Sequence, residues 1–379
     1  MAGRKAQIEP KSWDALEQRP GFSGLRQIAE RDTLPKLNDA IPRRAETNPI
    51  NALYGGGCFV AMFGLVLLIT LSSTFGVLGF VAALVIGFFL ARPSIEKIAR
   101  IQIDRMIKDF AFRNDVFAPL ANHIGLTYIA APGGGQGIVA QQSKEGLFQA
   151  SFKKLHEALE QYRGQDEAVA AARASGLVEL ATVIHIGNAD EETKKARETG
   201  LTRLEDGFSG DHAGLHFDAF EVVRSPRRTD EGTVYEAEHA LLVVLKLPRP
   251  LQSTTQIRSR KIGWHKPGEA ERLERVRLES NEFEDDFRVR SNDQVEARFV
   301  FTPDVMARMI DLAHGESFRA TAQDDYLVVA FEGPNRFDLT SPDTGLDGDA
   351  AIRLALQQIG EMLELVAAVG HVFGLDERA

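Results

Sequence analysis

Cysteine is almost absent: Cys58 is the single one in 379 residues. One thiol excludes an intrachain disulfide framework and a cysteine-based zinc site. Basic charge is in deficit as well, with 44 Lys and Arg against 54 Asp and Glu and a net charge of -10. General nucleic-acid binders are usually basic, so no nucleic-acid partner is expected. Linear catalytic and cofactor signatures are missing too. The chain has no HExxH, no phosphate-loop Lys-Ser/Thr and no dinucleotide fingerprint. GFSG occurs at 21–24 and again at 207–210, but neither copy extends to the G-x-S-x-G of a nucleophile elbow, and both read as turns. Catalytic residues stay unassigned, and no cofactor or metal is expected.

A further lack is the most informative. No charged side chain stands between Glu46 and Arg92. A helix rises 1.5 Å per residue, so a hydrocarbon core of ~30 Å takes about 20 apolar residues. The uncharged run holds two such lengths, 55–71 and 75–91, separated by Ser72-Ser73-Thr74. Gly64, Gly76, Gly79 and Gly87 would let two helices approach closely. The expectation is a transmembrane helical hairpin. Burying so long an uncharged run inside a soluble core is the alternative, and a domain of this size has little room for it. A cleaved signal peptide is disfavoured by the polar chain that precedes the run. Arg43 and Arg44 on one side, and Arg92, Lys97 and Arg100 on the other, place both termini in the cytoplasm by the positive-inside tendency.

Five segments follow. Residues 1–54, with Pro10, Pro20, Pro35, Pro42 and Pro49, read as a partly disordered cytoplasmic arm. The hairpin spans 55–91 and a juxtamembrane helical region 92–200. Within that region, 94–122 reads as a helix whose Lys97, Arg100, Arg105 and Lys108 could meet anionic headgroups, each worth ~1 kcal/mol. Glu96, Asp104 and Asp109 allow an ordinary solvated face instead. Phe148, Phe152, Leu155, Leu159 and Tyr162 recur at helical spacing, and 167–174 is rich in alanine.

Residues 201–345 take the period of strands, giving an α+β domain with a mainly antiparallel sheet and long flanking helices. Strands are expected at 126–131, 215–222, 238–247, 295–301, 317–323 and 326–332, the last two forming a hairpin about Asp324-Asp325. Thr302-Pro303 opens a helix that Gly315 ends. In the last segment, 346–379, a helix over 350–373 places Ile352, Leu356, Ile359, Leu363, Val366, Gly370 and Phe373 at heptad steps. That spacing fits a coiled-coil seam, yet Leu354, Met362, Leu365, Val369 and Val372 widen the stripe toward one packed on its own domain.

Candidate chemistry is sparse. Gly133 to Gly137 follows a strand but reads as a flexible turn. His212 and His216 lie four apart in a strand-like region, where ~13 Å would separate them. A site assembled from scattered groups would draw on Asp218, Glu221, His239 and Glu296. Residues 246–277 carry nine Lys and Arg against three glutamates. The acidic Glu279, Glu282, Glu284, Asp285 and Asp286 follow directly. Either the basic stretch faces headgroups or an anionic partner, or the two runs pair with each other.

The stretch Leu278-Glu279-Ser280-Asn281-Glu282-Phe283-Glu284-Asp285-Asp286-Phe287-Arg288-Val289, continuing from Ser291 to Pro303, resembles bacterial membrane proteins of the domain-of-unknown-function family numbered 3137 (DUF3137). Glu205-Asp206-Gly207, Phe217 to Glu221 and Leu241 to Pro248 are similar to that family too. The likeness covers 54–332 and is strongest over 278–312; residues 148–199 look less typical. It implies paired hydrophobic segments ahead of the domain, at a bacterial inner membrane. It implies no activity, cofactor or catalytic residue. The expected function is a membrane-tethered binding or scaffolding module without catalysis, its partners the bilayer and a protein or anionic headgroup. A hydrolase and a structural homo-oligomer are the alternatives. Convergence of the scattered acids and histidines on one concave pocket would favour the hydrolase.

Overall fold

A computed structural model describes residues 8–39, 104, 107–130, 166–177, 202–224, 227–228, 234–235, 238–260, 273–337 and 346–375. Nine strands form one sheet. In chain order they are β1 Leu126–Ile129, β2 Thr202–His212, β3 Leu215–Arg224, β6 Glu238–Lys246, β7 Thr255–Ser259, β8 Glu274–Val276, β9 Phe287–Ser291, β10 Phe318–Gln323 and β11 Tyr326–Gly333. Two short strands, β4 Arg227–Arg228 and β5 Val234–Tyr235, pair separately. Across the large sheet the order is β1-β2-β3-β6-β11-β10-β7-β9-β8, and every pairing is antiparallel. The α+β expectation with an antiparallel sheet is therefore met.

Local chemistry explains the turns. Ala213 and Gly214, at φ 48° and 75°, join β2 to β3 with the left-handed pair that matches strand twist. Asp324, at φ 51°, begins the two-residue link from β10 to β11. Leu241 to Leu245 on β6 are all buried because both faces of this central strand are covered.

The helices are α1 Trp13–Glu17, α2 Leu25–Ile28, which runs on through a π-helical turn Ala29–Thr33 into helix at 34–39, α3 at 107–123, α4 Asp166–Ala174, α5 Asn281–Asp286, α6 Gln294–Val300, α7 Pro303–Ala313 and α8 Gly348–Val372. On α7, Thr302 caps the Val305 N–H, Pro303 opens the helix and His314 closes it in the left-handed region. Asp347 accepts the Ala350 N–H at 2.8 Å and starts α8. Ile352, Leu356, Ile359, Met362, Leu363, Leu365, Val366 and Val369 are all buried on α8, in one core with the inner sheet face. Each such side chain contributes about 1.5–3 kcal/mol. Burial all round makes α8 a core helix, and its heptad positions are occupied inside the domain.

Two expectations need restating. Residues 8–39, set apart above as part of an arm, are folded onto α8. Trp13 donates to Asp349 at 2.9 Å, Arg19 donates to the Gln357 carbonyl at 3.0 Å, and Leu16, Phe22 and Leu25 are buried. Residues 295–301 form helix α6, not a strand. Asp293 caps the Val295 and Glu296 N–H groups, and Ala297 and Val300, three apart, are the buried pair. The helix cap outweighs the β-propensity of Val295, Phe299 and Val300. The hairpin at 55–91, the helix at 148–162 and the glycine segment 133–137 lie outside the described residues. Among the described residues, no helix is long and apolar enough to cross a membrane.

Candidate functional site

Residues directly opposite each other on antiparallel strands share a face. Pairing of Arg319 with Arg258 and of Arg258 with Arg288 therefore puts three arginines in one row across β10, β7 and β9. The next row joins Arg275, Arg290, Gln256 and Thr321 across β8, β9, β7 and β10. Strands lie ~4.8 Å apart, so the five guanidiniums share a patch roughly 15 Å wide on the outer face. Arg275 and Arg288 are exposed, while Arg258, Arg290 and Arg319 are half-buried.

Like charges act on one another here. Burial and then the charges of Arg319 and Arg290 push the Arg258 guanidinium below its ordinary range. It stays charged, because arginine does not give up its proton in proteins. Two carboxylates approach the rim: Glu332 stands 3.8 Å from Arg319, and Glu284 stands 3.7 Å from Arg275. Such partly exposed pairs stabilise by ~0–1 kcal/mol each. Like charges placed directly opposite are destabilising.

The other half of the same face differs. Ile129, Phe220, Val222, Leu242, Val244, Val328 and Ala330 meet Ala168, Val169 and Ala172 of α4, with Leu177, in a second apolar cluster. At its margin a shallow cleft is lined by Glu167, His216, Asp218, Lys246 and Tyr326. His216 contacts Asp211 at 2.9 Å and Asp218 at 3.5 Å. Glu167 accepts from Lys246 at 2.5 Å and from Tyr326 at 2.7 Å. Burial raises the Asp218 carboxyl above its usual range, against the hydrogen bond from Ser209.

On the inner face, under the irregularity between Leu204 and Gly207, lies a buried polar group. Asp206 accepts from the Tyr128 hydroxyl at 3.0 Å and stands 3.5 Å from Arg113. Burial nonetheless raises its carboxyl to about 6, so desolvation outweighs the arginine. Glu221, fully buried, is pushed well up by burial and by the charge of Asp206, with Arg336 opposing. Asp206 and Glu221 are both buried.

The four candidates drawn from the sequence do not converge. Asp218 is on the outer face, whereas Glu221 and His239, paired with Leu241 and with Val223 and Gly333, are on the inner face. Glu296 on α6 accepts from the Gln252 and Ser253 N–H groups at 2.8 Å each and clasps that turn. His212 and His216 fall on opposite faces, because they pair with Leu215 and Asp211 respectively. Among the described residues, no cluster of His, Cys, Asp and Glu could hold a metal ion.

The basic stretch 246–277 is split by the fold. Arg258 and Arg275 join the patch, while Lys246 goes to the cleft and Arg249 stacks on Phe299 and Phe373. Arg288, Arg290 and Arg319 complete the patch from elsewhere. Their alternation with Phe287, Val289, Phe318 and Ala320 was visible, but their alignment with Arg258 depends on strand register.

The molecule is thus an antiparallel α+β domain whose outer sheet face is half covered and apolar, half arginine-bearing. Residues 240–370, from β6 to α8, match the model of a family described as Protein of unknown function (DUF3137). The matched segment takes in all five arginines. No curated protein matches the chain. Among solved structures, the crystal structure of the mycobacterial trehalose monomycolate transport factor A, TtfA, is similar at 14% identity and a TM-score of 0.23, covering 44% of this chain and 75% of that chain.

Proposed function

We propose that this chain is a membrane-tethered binding module without catalytic activity. Residues 55–91 would be its transmembrane hairpin, both termini would lie in the cytoplasm, and the arginine half of the sheet would hold an anionic partner. The observation that carries the reading is the in-register row Arg319–Arg258–Arg288. Guanidiniums held at this spacing present paired N–H donors that suit phosphate and carboxylate oxygens. Support for the tether comes from the uncharged run between Glu46 and Arg92 with its basic flanks. The hydrolase alternative loses its footing because its candidate groups occupy different faces. For an oligomer, the heptad surface of α8 is already used, which leaves assembly to the hairpin.

Crosslinking of the full-length protein in its native membranes tests the module. A crosslinked species should persist in Arg31→Glu, an exposed change far from the sheet, and disappear in the double variant Arg258→Glu/Arg288→Glu. An unchanged crosslinking pattern in the double variant would sink the reading. Separately, a reporter fused after Ala379 that is active only outside the cytoplasm would overturn the orientation.

A further inference from the structure

We infer that the arginine half of the outer sheet face docks on the anionic phospholipid headgroups of the membrane to which the chain is tethered. This inference rests on the reading of the chain as a membrane-tethered module and names the partner of that same surface.

Three features select a bilayer surface. The basic groups of the patch are all arginines, whose planar forks grip phosphate oxygens two at a time. They spread in two dimensions, across β8, β9, β7 and β10 and over two successive rows, on the face of a sheet. An acidic peptide added to the domain would follow a single strand direction, and a small soluble anion would call for a concave site. The described cleft with its Lys246 lies on the other half and is closed by Glu167. A plane of fixed phosphates instead matches the geometry of the patch.

Charge and reach agree with this. The net charge of -10 would repel the domain from an anionic bilayer as a whole. Salt limits that repulsion to ~8 Å at physiological ionic strength, so a local basic patch decides which face can approach. If 55–91 spans the bilayer, residues 92–103 hold α3 within ~40 Å of it even when fully extended. At that tether length the local lipid concentration is high, and weak contacts of ~1 kcal/mol per arginine suffice.

The test reads the accessibility of the patch. Gln256 sits in the second row between Arg290 and Thr321. A fluorophore on Gln256→Cys, in a Cys58→Ser background of the full chain, is exposed to iodide in vesicles of phosphatidylcholine alone or mixed with phosphatidylglycerol. A second label at Asp311→Cys, on the exposed side of α7, serves as the control. Shielding at 256 but not at 311, only when phosphatidylglycerol is present, is the expected result. Arg258→Glu/Arg288→Glu should lower the docked-to-free ratio roughly tenfold or more. Arg258→Gln/Arg288→Gln should lower it less, which separates lost charge from lost fold.

Equal shielding in both vesicle types would overturn the inference, as would shielding by inorganic phosphate without vesicles. Were the label never shielded while the crosslink in native membranes still vanished in the double variant, the binding module would stand with a protein partner and the lipid assignment would fall. If neither readout responded to the arginines, both readings would fall together.

Discussion

The two halves of the outer sheet face are built from the same antiparallel ladder and face the same way, yet they solve opposite problems. Across β3, β6 and β11 the outward positions are Phe220, Leu242, Val244, Val328 and Ala330, and α4 closes over them. Across β10, β7 and β9 the same rows continue as Arg319, Arg258 and Arg288. Leu242 and Ala330 lie in the row that ends in these arginines. Within one row, therefore, the strands pass from side chains that need a cover to side chains that repel one another. The difference teaches where the fold is self-sufficient. The apolar half completes its own burial, while the basic half sets like charges opposite one another.

Moving charge across the boundary should have the largest effect. Leu242 is fully buried beneath α4. Leu242→Arg would place an uncompensated guanidinium under that helix and should cost about 3–5 kcal/mol. Denaturant unfolding of the full chain should show a matching fall in midpoint. A loss within ~0.5 kcal/mol would mean that α4 is easily displaced and that the contrast between the halves is shallow.

The covered end of the sheet also buries two acids on its inner face, Asp206 and Glu221, and there the effect should depend on pH. The Asp206 carboxyl titrates at about 6 in the fold and near its ordinary ~3.9 when unfolded. Between those values the folded state holds the extra proton. Its contribution is therefore most favourable at low pH and is lost as pH rises through about 6, by at most ~3 kcal/mol. Glu221 shifts in the same direction. Unfolding free energy measured against pH should fall over this window, and Glu221→Gln with Asp206→Asn should flatten the slope. A slope left intact in that variant would place the titrating groups elsewhere.

Much of this arrangement was legible in the chain. The capping signal Thr302-Pro303, the hairpin about Asp324-Asp325 and the alanine-rich α4 all follow local chemistry, and each lies where its residues put it. Helix α6 misled because Val295 and Phe299 are exposed apolar residues, at 76% and 37% exposure. They mimic a strand, while the deciding group, Asp293, is a cap. The patch was legible only in part. Alternation shows that Arg258, Arg288, Arg290 and Arg319 point one way on their own strands. That β7 lies between β10 and β9 follows from long-range pairing, which no local pattern encodes. The surroundings of Asp206 and Glu221 were equally hidden, since they are assembled from Tyr128 on β1, Arg113 on α3 and Arg336.

The smallest effect is the most discriminating. Arg258 stands between Arg319 and Arg288 in the middle of the row, and burial with neighbouring like charge already disfavours its charged form. Replacing it should relieve repulsion against two neighbours while removing some packing from its stem. Arg258→Thr, which keeps β-propensity, should therefore leave stability unchanged or raise it by about 0.5 kcal/mol at low ionic strength. Raising the salt should erase that gain, because screening weakens the repulsion that the substitution removes. A core or cap residue would show the opposite, a loss that salt leaves alone. If Arg258→Thr destabilises the domain at every ionic strength, the row is a structural part of the sheet and its like charges are compensated from within.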